Sequence, residues 1–207
     1  MPPPTRPRKR PRQARSRLTV EAILDAAARV FERHGYAAGT TNRIAERAGV
    51  SIGSLYQYYP NKDAILVALV ERHLDEGVAA LTPLLGELRD APPPLADGLA
   101  RMVEAMVALH RERPALHRVL FEEAPRPPAL RRRLTTLEAA LTAGVASYLR
   151  ACGAEVDPAR DPDVAARLVV QVVETVTHEL VIRPAGGTSV ETYVAETVAL
   201  LRGYLAR

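Results

Sequence analysis

Thr40-Thr-Asn-Arg-Ile-Ala-Glu-Arg-Ala-Gly-Val-Ser51, followed by Ile52-Gly-Ser-Leu-Tyr-Gln-Tyr-Tyr-Pro60, decides the reading of this chain. Thr40 and Thr41 offer a cap to a short helix that runs to Ala48, and Gly49 stops it. Ser51 caps a second short helix containing Leu55, Tyr56 and Tyr58, and Pro60 ends that one. A small residue at Ala45 lets the second helix cross closely, while Gly49 permits the positive φ of a tight turn. Ile44, Val50 and Leu55 fill the wedge between the two. This is the pattern of a helix-turn-helix, whose second helix keeps its N-terminal turn free to enter a major groove. An arbitrary helical hairpin with a glycine corner satisfies the same spacing, so spacing alone leaves both readings open.

Outward from this pair, helical signals continue in both directions. Leu18 and Ile23 flank Thr19 as a hydrophobic staple around an N-cap, and Val20, Ile23, Leu24, Ala27, Val30 and Phe31 recur at helical spacing. Gly35 is the expected terminator of that helix. Asn61 caps a long helix from Lys62 to about Leu81, with Ile65, Leu66, Leu69, Val70, His73, Leu74 and Val78 on one face; Pro83 and Gly86 are expected to break it. Further helices are expected over roughly 95–110, 114–123, 129–151, 162–182 and 189–206, separated by proline- and glycine-rich stretches. Val169–Val176 is β-branched enough to suggest a strand, but its apolar positions recur at three and four rather than two. With no internal repeat and no convincing strand, the fold class is all-α.

The charge is unevenly placed. Lys and Arg number 28 against 24 Asp and Glu, a net +4 over 207 residues. Residues 1–20 hold Arg6, Arg8, Lys9, Arg10, Arg12, Arg15 and Arg17 and no acid, a local +7. The base is therefore a tail on a mildly acidic body, and such tails usually meet phosphate. Five of the seventeen prolines fall in residues 1–17, which lack apolar periodicity and read as disordered when free. Arg outnumbers Lys 26 to 2, a bias that reads as genomic composition.

Several classes of function are disfavoured. Cys152 is the one cysteine, too few for an internal disulfide or a thiolate metal site. No apolar run approaches ~18 residues, so no membrane span is expected. The basic N-terminus has no apolar h-region after it, which argues against a secretory signal. A cytoplasmic location fits these features. His178-Glu179 lacks a second histidine at position 182, which is Ile, and so does not make a zinc-protease helix. His110 and His117 straddle Pro114 and are not expected to share a helix face. Cys152 has no histidine near it in sequence, and no glycine-rich phosphate loop follows a strand. The chain is therefore read as no enzyme, with no cofactor and no metal.

A longer signature is more specific. Phe31-Glu-Arg-His-Gly-Tyr36, Thr40–Ser51 and Ser54-Leu-Tyr-Gln-Tyr-Tyr-Pro-Asn-Lys62 together resemble the DNA-binding domain of the TetR/AcrR family of transcriptional regulators. The resemblance covers about residues 18–66, and the rest of the chain agrees only in helix count and length. It implies nine or ten helices: a basic arm (1–17), a three-helix helix-turn-helix domain (18–62), and a helical ligand-sensing and dimerisation domain (63–207). It also implies a homodimer that binds a palindromic double-stranded DNA operator. That homodimer would be a repressor released by a small apolar or amphipathic effector. The alternative is an architectural or cell-division DNA-binding protein of the same fold without an inducer. Two departures stand out. Gly39 sits where many members carry a bulkier residue, implying a looser lead into the second helix. Asn42 stands where some use Arg, implying one phosphate or base partner fewer.

On this alignment the recognition helix runs from Ser51 to Tyr58. Ser51 and Ser54 offer short hydrogen-bonding groups, Ile52 a methyl contact to thymine, and Gly53 a close backbone approach. Gln57 reaches furthest, to a base edge or a phosphate. Tyr56 and Tyr58 resemble the family's aromatic phosphate contacts, whereas Tyr59 is expected in the local core. Thr40, Thr41 and Arg43 open the preceding helix, where hydroxyls and amides suit a phosphate. Lys62 is expected beside another phosphate. Arginines of the arm (Arg8, Lys9, Arg10, Arg12, Arg15, Arg17) are expected to track an adjacent minor groove.

In the body, Met102, Met106, His110, His117, Phe121 and Tyr148 are candidate lining for an adaptable apolar cavity, set against ordinary core packing. The last two helices carry wide apolar faces, Leu168, Val172, Val173, Val176 and Leu180 on one, and Val194, Val198, Leu201 and Leu205 on the other. Paired with two helices of a partner, they would form a four-helix dimer interface.

Overall fold

A computed structural model describes residues 5, 7, 14–182 and 189–206. Among these the chain forms nine α-helices: α1 (Ala14–Ala38), α2 (Thr41–Ala48), α3 (Ile52–Tyr58), α4 (Lys62–Asp90), α5 (Leu95–Arg111), α6 (Pro114–Arg118), α7 (Pro128–Ala151), α8 (Pro162–Ile182) and α9 (Val190–Leu205). A π-helical turn, Val119–Glu123, continues α6, and a 3₁₀ turn, Gly153–Glu155, follows α7. One isolated antiparallel bridge, Val156 to Ala206, is present, and no strand occurs among the described residues. The fold is all-α.

The chain divides into two compact units. One runs through Asp75 and takes in Arg113–Arg131; the other comprises Glu76–Glu112 and Arg132–Arg207. In the first, α1 buries Ile23, Leu24, Ala27, Val30 and Phe31, with Ile44, Leu55, Ile65, Leu66 and Leu69 from α2, α3 and α4 completing the core. Two ion pairs tie other helices to α1: Arg72 to Asp25 at 2.7 Å, and Arg113 to Glu32 at 2.8 Å. Both pairs are partly exposed, so each contributes geometry more than stability.

In the second unit, Leu88, Leu95, Leu99, Leu149 and Tyr148 lie at the centre of the core with Ala165, Val169 and Leu205. The start of α5 follows three prolines and offers no capping side chain of its own. Glu155 supplies one from sixty residues away, its Oε2 accepting from the Leu95 amide at 3.1 Å. Tyr148 donates its hydroxyl toward the carbonyls of Pro93 and Pro94, each at 3.1 Å. Burial pushes its phenol well above the ordinary tyrosine value, so it remains a donor.

Three boundaries differ from the sequence reading. The first helix begins at Ala14 and passes through Thr19, because Ala14, Arg15 and Arg17 are good helix formers and nothing compels a start at the threonine. Pro83 and Gly86 do not break α4. Pro83 faces solvent, as do Ala79 and Ala80, so water can serve the carbonyl that loses its intrahelical donor. Leu81, Leu84 and Leu88 are buried on the opposite face and hold the helix through the proline. Third, the lead into α2 is tight rather than loose. Gly35 turns the end of α1 with φ 70°, and the Gly39 amide donates to the carbonyls of Gly35 and Tyr36 at 3.1 and 3.2 Å.

Gly39 is required here by contact. A Cβ at that position would lie 2.5 Å from the Phe31 ring and 2.9 Å from the Gly35 carbonyl oxygen. The Phe31 ring is fully buried and has nowhere to move. Gly39→Ala should therefore destabilise the chain by about 1–3 kcal/mol through overpacking. A lowered urea midpoint with unchanged m-value checks it; an unchanged midpoint refutes the packing account.

Candidate nucleic-acid interface

The geometry of α2 and α3 follows from four local interactions. Thr40 has extended backbone, and its hydroxyl accepts from the Arg43 amide at 3.3 Å. At the other end Gly49 adopts φ 66°, ψ 29°. Its amide donates to Glu46 at 3.1 Å and the Val50 amide donates to Ala45 at 3.0 Å, the paired bonds of a Schellman closure. Ser51 then caps α3, its Oγ accepting from the Ser54 amide at 3.0 Å and lying 2.8 Å from the Ser54 hydroxyl. Asn61 caps α4 in the same way, through the Ala64 amide at 2.9 Å. Ile44, Ala45 and Leu55 are buried between α2 and α3, as a helix-turn-helix requires.

This packing leaves one face of α3 open. Ser51, Ile52, Gly53, Tyr56 and Gln57 are exposed, and Ser54 and Tyr58 are half-buried. Tyr59 is 2% exposed and belongs to the core, its phenol pushed up to about 12 by burial. The Tyr56 hydroxyl lies 3.1 Å from Thr41 Oγ1, which ties α2 to α3 and holds the tyrosine ring at the surface. Thr40 and Arg43 are exposed at the start of α2. The Arg43 guanidinium reaches back to the Ala38 carbonyl at 3.4 Å. Gly53 is informative in a different way from Gly39. A Cβ there would meet nothing nearer than Ser51 Oγ at 3.9 Å, so nothing inside the chain calls for a glycine. The packing of the chain is indifferent to a side chain at that position.

Lys62 takes a role that the sequence reading did not foresee. Its ammonium donates to the carbonyls of Tyr36 at 2.9 Å and Ala37 at 3.3 Å, and sits 4.1 Å from the Tyr36 ring centroid. It caps the C-terminal end of α1, where a cation is favoured. Of the arm, Arg8, Lys9, Arg10 and Arg12 lie outside the described residues, as does the Arg15 side chain, while Arg17 is exposed on α1.

The six candidate pocket residues divide between the units. His117 and Phe121 belong to the first; Met102, Met106, His110 and Tyr148 belong to the second. Tyr148 is fully buried and its hydroxyl is used on the prolines before α5, which makes it a structural tie. His110 is held by a 2.7 Å contact between Nδ1 and the Met106 carbonyl, and burial lowers its pKa. The second unit instead forms a groove of about 660 Å³ between α5 and α9. Val107, Val190, Val194 and Val198 line it with small alanines, and Glu104, Arg111, Glu191 and Arg202 give it charge. The i, i+4, i+8 valines of α9 were legible in the sequence, but their neighbour was not.

That placement also redistributes the expected dimer face. Val194 and Val198 line the groove, and Val173, Leu180, Leu201 and Leu205 are buried in the chain's own core. Leu168 is exposed, and Val172 and Val176 are half-buried. Val164 and Leu200, at 57% and 61% exposure, join Leu168 as exposed apolar side chains of this chain.

Two family models match the chain. Residues 23–69 match the bacterial regulatory proteins of the tetR family, and residues 94–205 match the tetracyclin repressor-like C-terminal domain. An HTH-type transcriptional repressor of Mycobacterium tuberculosis is 35% identical over 86 residues, 40% of this chain and 46% of that protein. The matched stretch spans less than half the length of the curated relatives it resembles. Among solved structures, NalD of Pseudomonas aeruginosa, the secondary repressor of the MexAB-OprM multidrug efflux pump, superposes with a TM-score of 0.71 at 19% identity, covering 94% of this chain and 99% of that one. FadR of Bacillus subtilis, solved in complex with stearoyl-CoA, gives 0.66 at 20% identity, covering 89% and 98%. No helix among the described residues is long and apolar enough to cross a membrane. The second model alone covers more than half of the chain, and the chain belongs to the TetR family of transcriptional regulators.

Proposed function

We propose that this regulator is a repressor that binds a palindromic operator as a homodimer and is released by a small apolar or amphipathic effector. The observation that carries the DNA reading is the open face of α3, where Gly53 has no internal reason to lack a side chain. Ser51, Ile52 and Ser54 surround it with short groups, and Gln57 is the long polar reader. Thr40, Thr41 and Arg43 present amides, hydroxyls and a cation to a phosphate at the start of α2. Tyr56 and Tyr58 flank the same surface, and the arm adds charge along an adjacent minor groove.

Dimerisation rests on the uncovered Val164 and Leu168 of α8 and Leu200 of α9. Apolar side chains on two adjacent helices are what a four-helix interface between copies buries. The effector reading rests on the groove between α5 and α9, whose valine floor suits an apolar body and whose arginines suit a polar end. The NalD and FadR likenesses support a repressor with an effector without naming one here.

Selection of bound fragments from a random DNA pool tests the reading. The expected product is one palindrome with half-sites about 34–36 Å apart, one helical turn, as two-fold docking demands. Enrichment of many dispersed, unrelated sequences would instead indicate an architectural protein, and no enrichment would refute the proposal. On the selected operator, Gln57→Ala should cost about 1–3 kcal/mol and relax preference at one position per half-site, read by binding to single-base variants. Deleting residues 1–16 should flatten the dependence of log affinity on log salt by about 0.9 for each phosphate that the arm neutralises. An unchanged slope would remove the arm from the mechanism.

A further inference from the structure

The first unit contains a pair of buried imidazoles that the DNA-reading surface does not use. His73 of α4 and His117 of α6 are 8% and 6% exposed, and their rings meet edge to face with centroids 4.5 Å apart. Phe121 stands beside both, at 6.0 and 6.1 Å. It lies in the π-helical turn Val119–Glu123 that continues α6. The partners are 44 positions apart in sequence, and α6 is fixed in place by the bond from Arg113 to Glu32 on α1.

We propose that His73 and His117 bind a late first-row divalent cation, with Zn²⁺ as the physiological class. One ring nitrogen of each lies within 4.8 Å of the other. Two imidazoles on a tetrahedral ion, each at about 2.0–2.1 Å, hold their nitrogens about 3.3 Å apart, so a small rotation of either ring closes the site. Neutral imidazole is a borderline-soft donor suited to Zn²⁺, Co²⁺, Ni²⁺ and Cu²⁺, whereas Mg²⁺ and Ca²⁺ want oxygen ligands that this pair does not offer. An ion held there ties α4 to α6 across more than forty residues of chain, in the unit that also contains α2 and α3.

The test uses the full chain, freed of metal by a chelator. Titration with Co²⁺ should give a visible d–d spectrum saturating at one ion per chain, and Zn²⁺ should displace it. Zn²⁺ should also raise the melting temperature, because an ion bound only by the native state stabilises it. His73→Gln and His117→Gln keep a polar side chain of similar size. Each should lower Zn²⁺ affinity by about tenfold or more, since even outer-shell partners are worth that much, and abolish the Zn²⁺-dependent rise in melting temperature. His34→Gln, at an exposed histidine, should change neither. The proposal fails if the wild type gives no saturable spectrum. It also fails if both folded glutamine variants, checked by their own melting transitions, bind Zn²⁺ as the wild type does. Neither outcome depends on operator binding, which the DNA selection reads separately.

Discussion

The position of the helix-turn-helix depends on how the end of α1 is held. An α-helix leaves its last carbonyls without intrahelical donors, and Gly35 makes this end abrupt by turning the backbone at φ 70°. Lys62 supplies a charged donor to two of the following carbonyls, Tyr36 and Ala37, and lays its ammonium over the Tyr36 ring. The Tyr36 hydroxyl in turn donates to Asp63 on the first turn of α4. Asn61 caps α4 at the same place. Three consecutive residues thus start one helix and finish another. Since Thr40 caps α2 only four positions after Tyr36, the direction of α2, and of α3 behind it, is set by that join.

This join separates what the sequence could reveal from what it could not. Caps are local, and they were legible: Thr40, Gly49, Ser51 and Asn61 all do what their chemistry and position announce. The buried wedge of Ile44, Ala45 and Leu55 was legible for the same reason, since it follows from period and turn. The sequence places Lys62 beside a phosphate, and a cation at a helix start is unfavourable to that helix. Its compensation lies in another helix, 26 positions earlier, which no local rule detects. Pro83 shows the same limit. Its local meaning is a break, and the burial of Leu81, Leu84 and Leu88 overrides it. The resemblance makes Gly39 a looser lead into α2, and the contact a Cβ there would make with Phe31 makes it the opposite.

The candidate sites divide along the same line. The open face of α3 is what remains of a local pattern once its inward positions are known, and Ser51, Ile52, Gly53 and Gln57 are named on it by the family resemblance that the pattern carries. The groove between α5 and α9 and the convergence of His73 with His117 depend on which helices become neighbours. In an all-α chain, apolar periodicity tells which face of a helix is buried but not against what. Val194 and Val198 illustrate the difference, since their stripe was plain while their partner was α5.

Charge adds a second constraint on how the head works. Residues 1–62 carry 12 bases and 4 acids, and seven of those bases precede residue 20. Two of those seven, Arg15 and Arg17, lie on the first turns of α1, and residues 18–62 carry 5 bases and 4 acids, so the head beyond the start of α1 is close to neutral; one of its cations, Lys62, is occupied at the end of α1. Attraction to a polyanion at a distance then has to come from the arm, because screening confines any field to about 8–10 Å at ordinary ionic strength. Discrimination, in contrast, needs contact geometry and not field. On the proposed reading the two tasks fall to different segments: the basic arm, and short uncharged groups on a helix whose two ends are capped. A strongly charged α3 would bind every sequence more tightly and tell them apart less well, because phosphate attraction is the same at each site. On the same proposed reading the near-neutrality of residues 18–62 is the electrostatic counterpart of Gly53: both would lower what any DNA can gain at that surface, and leave base-edge fit to decide.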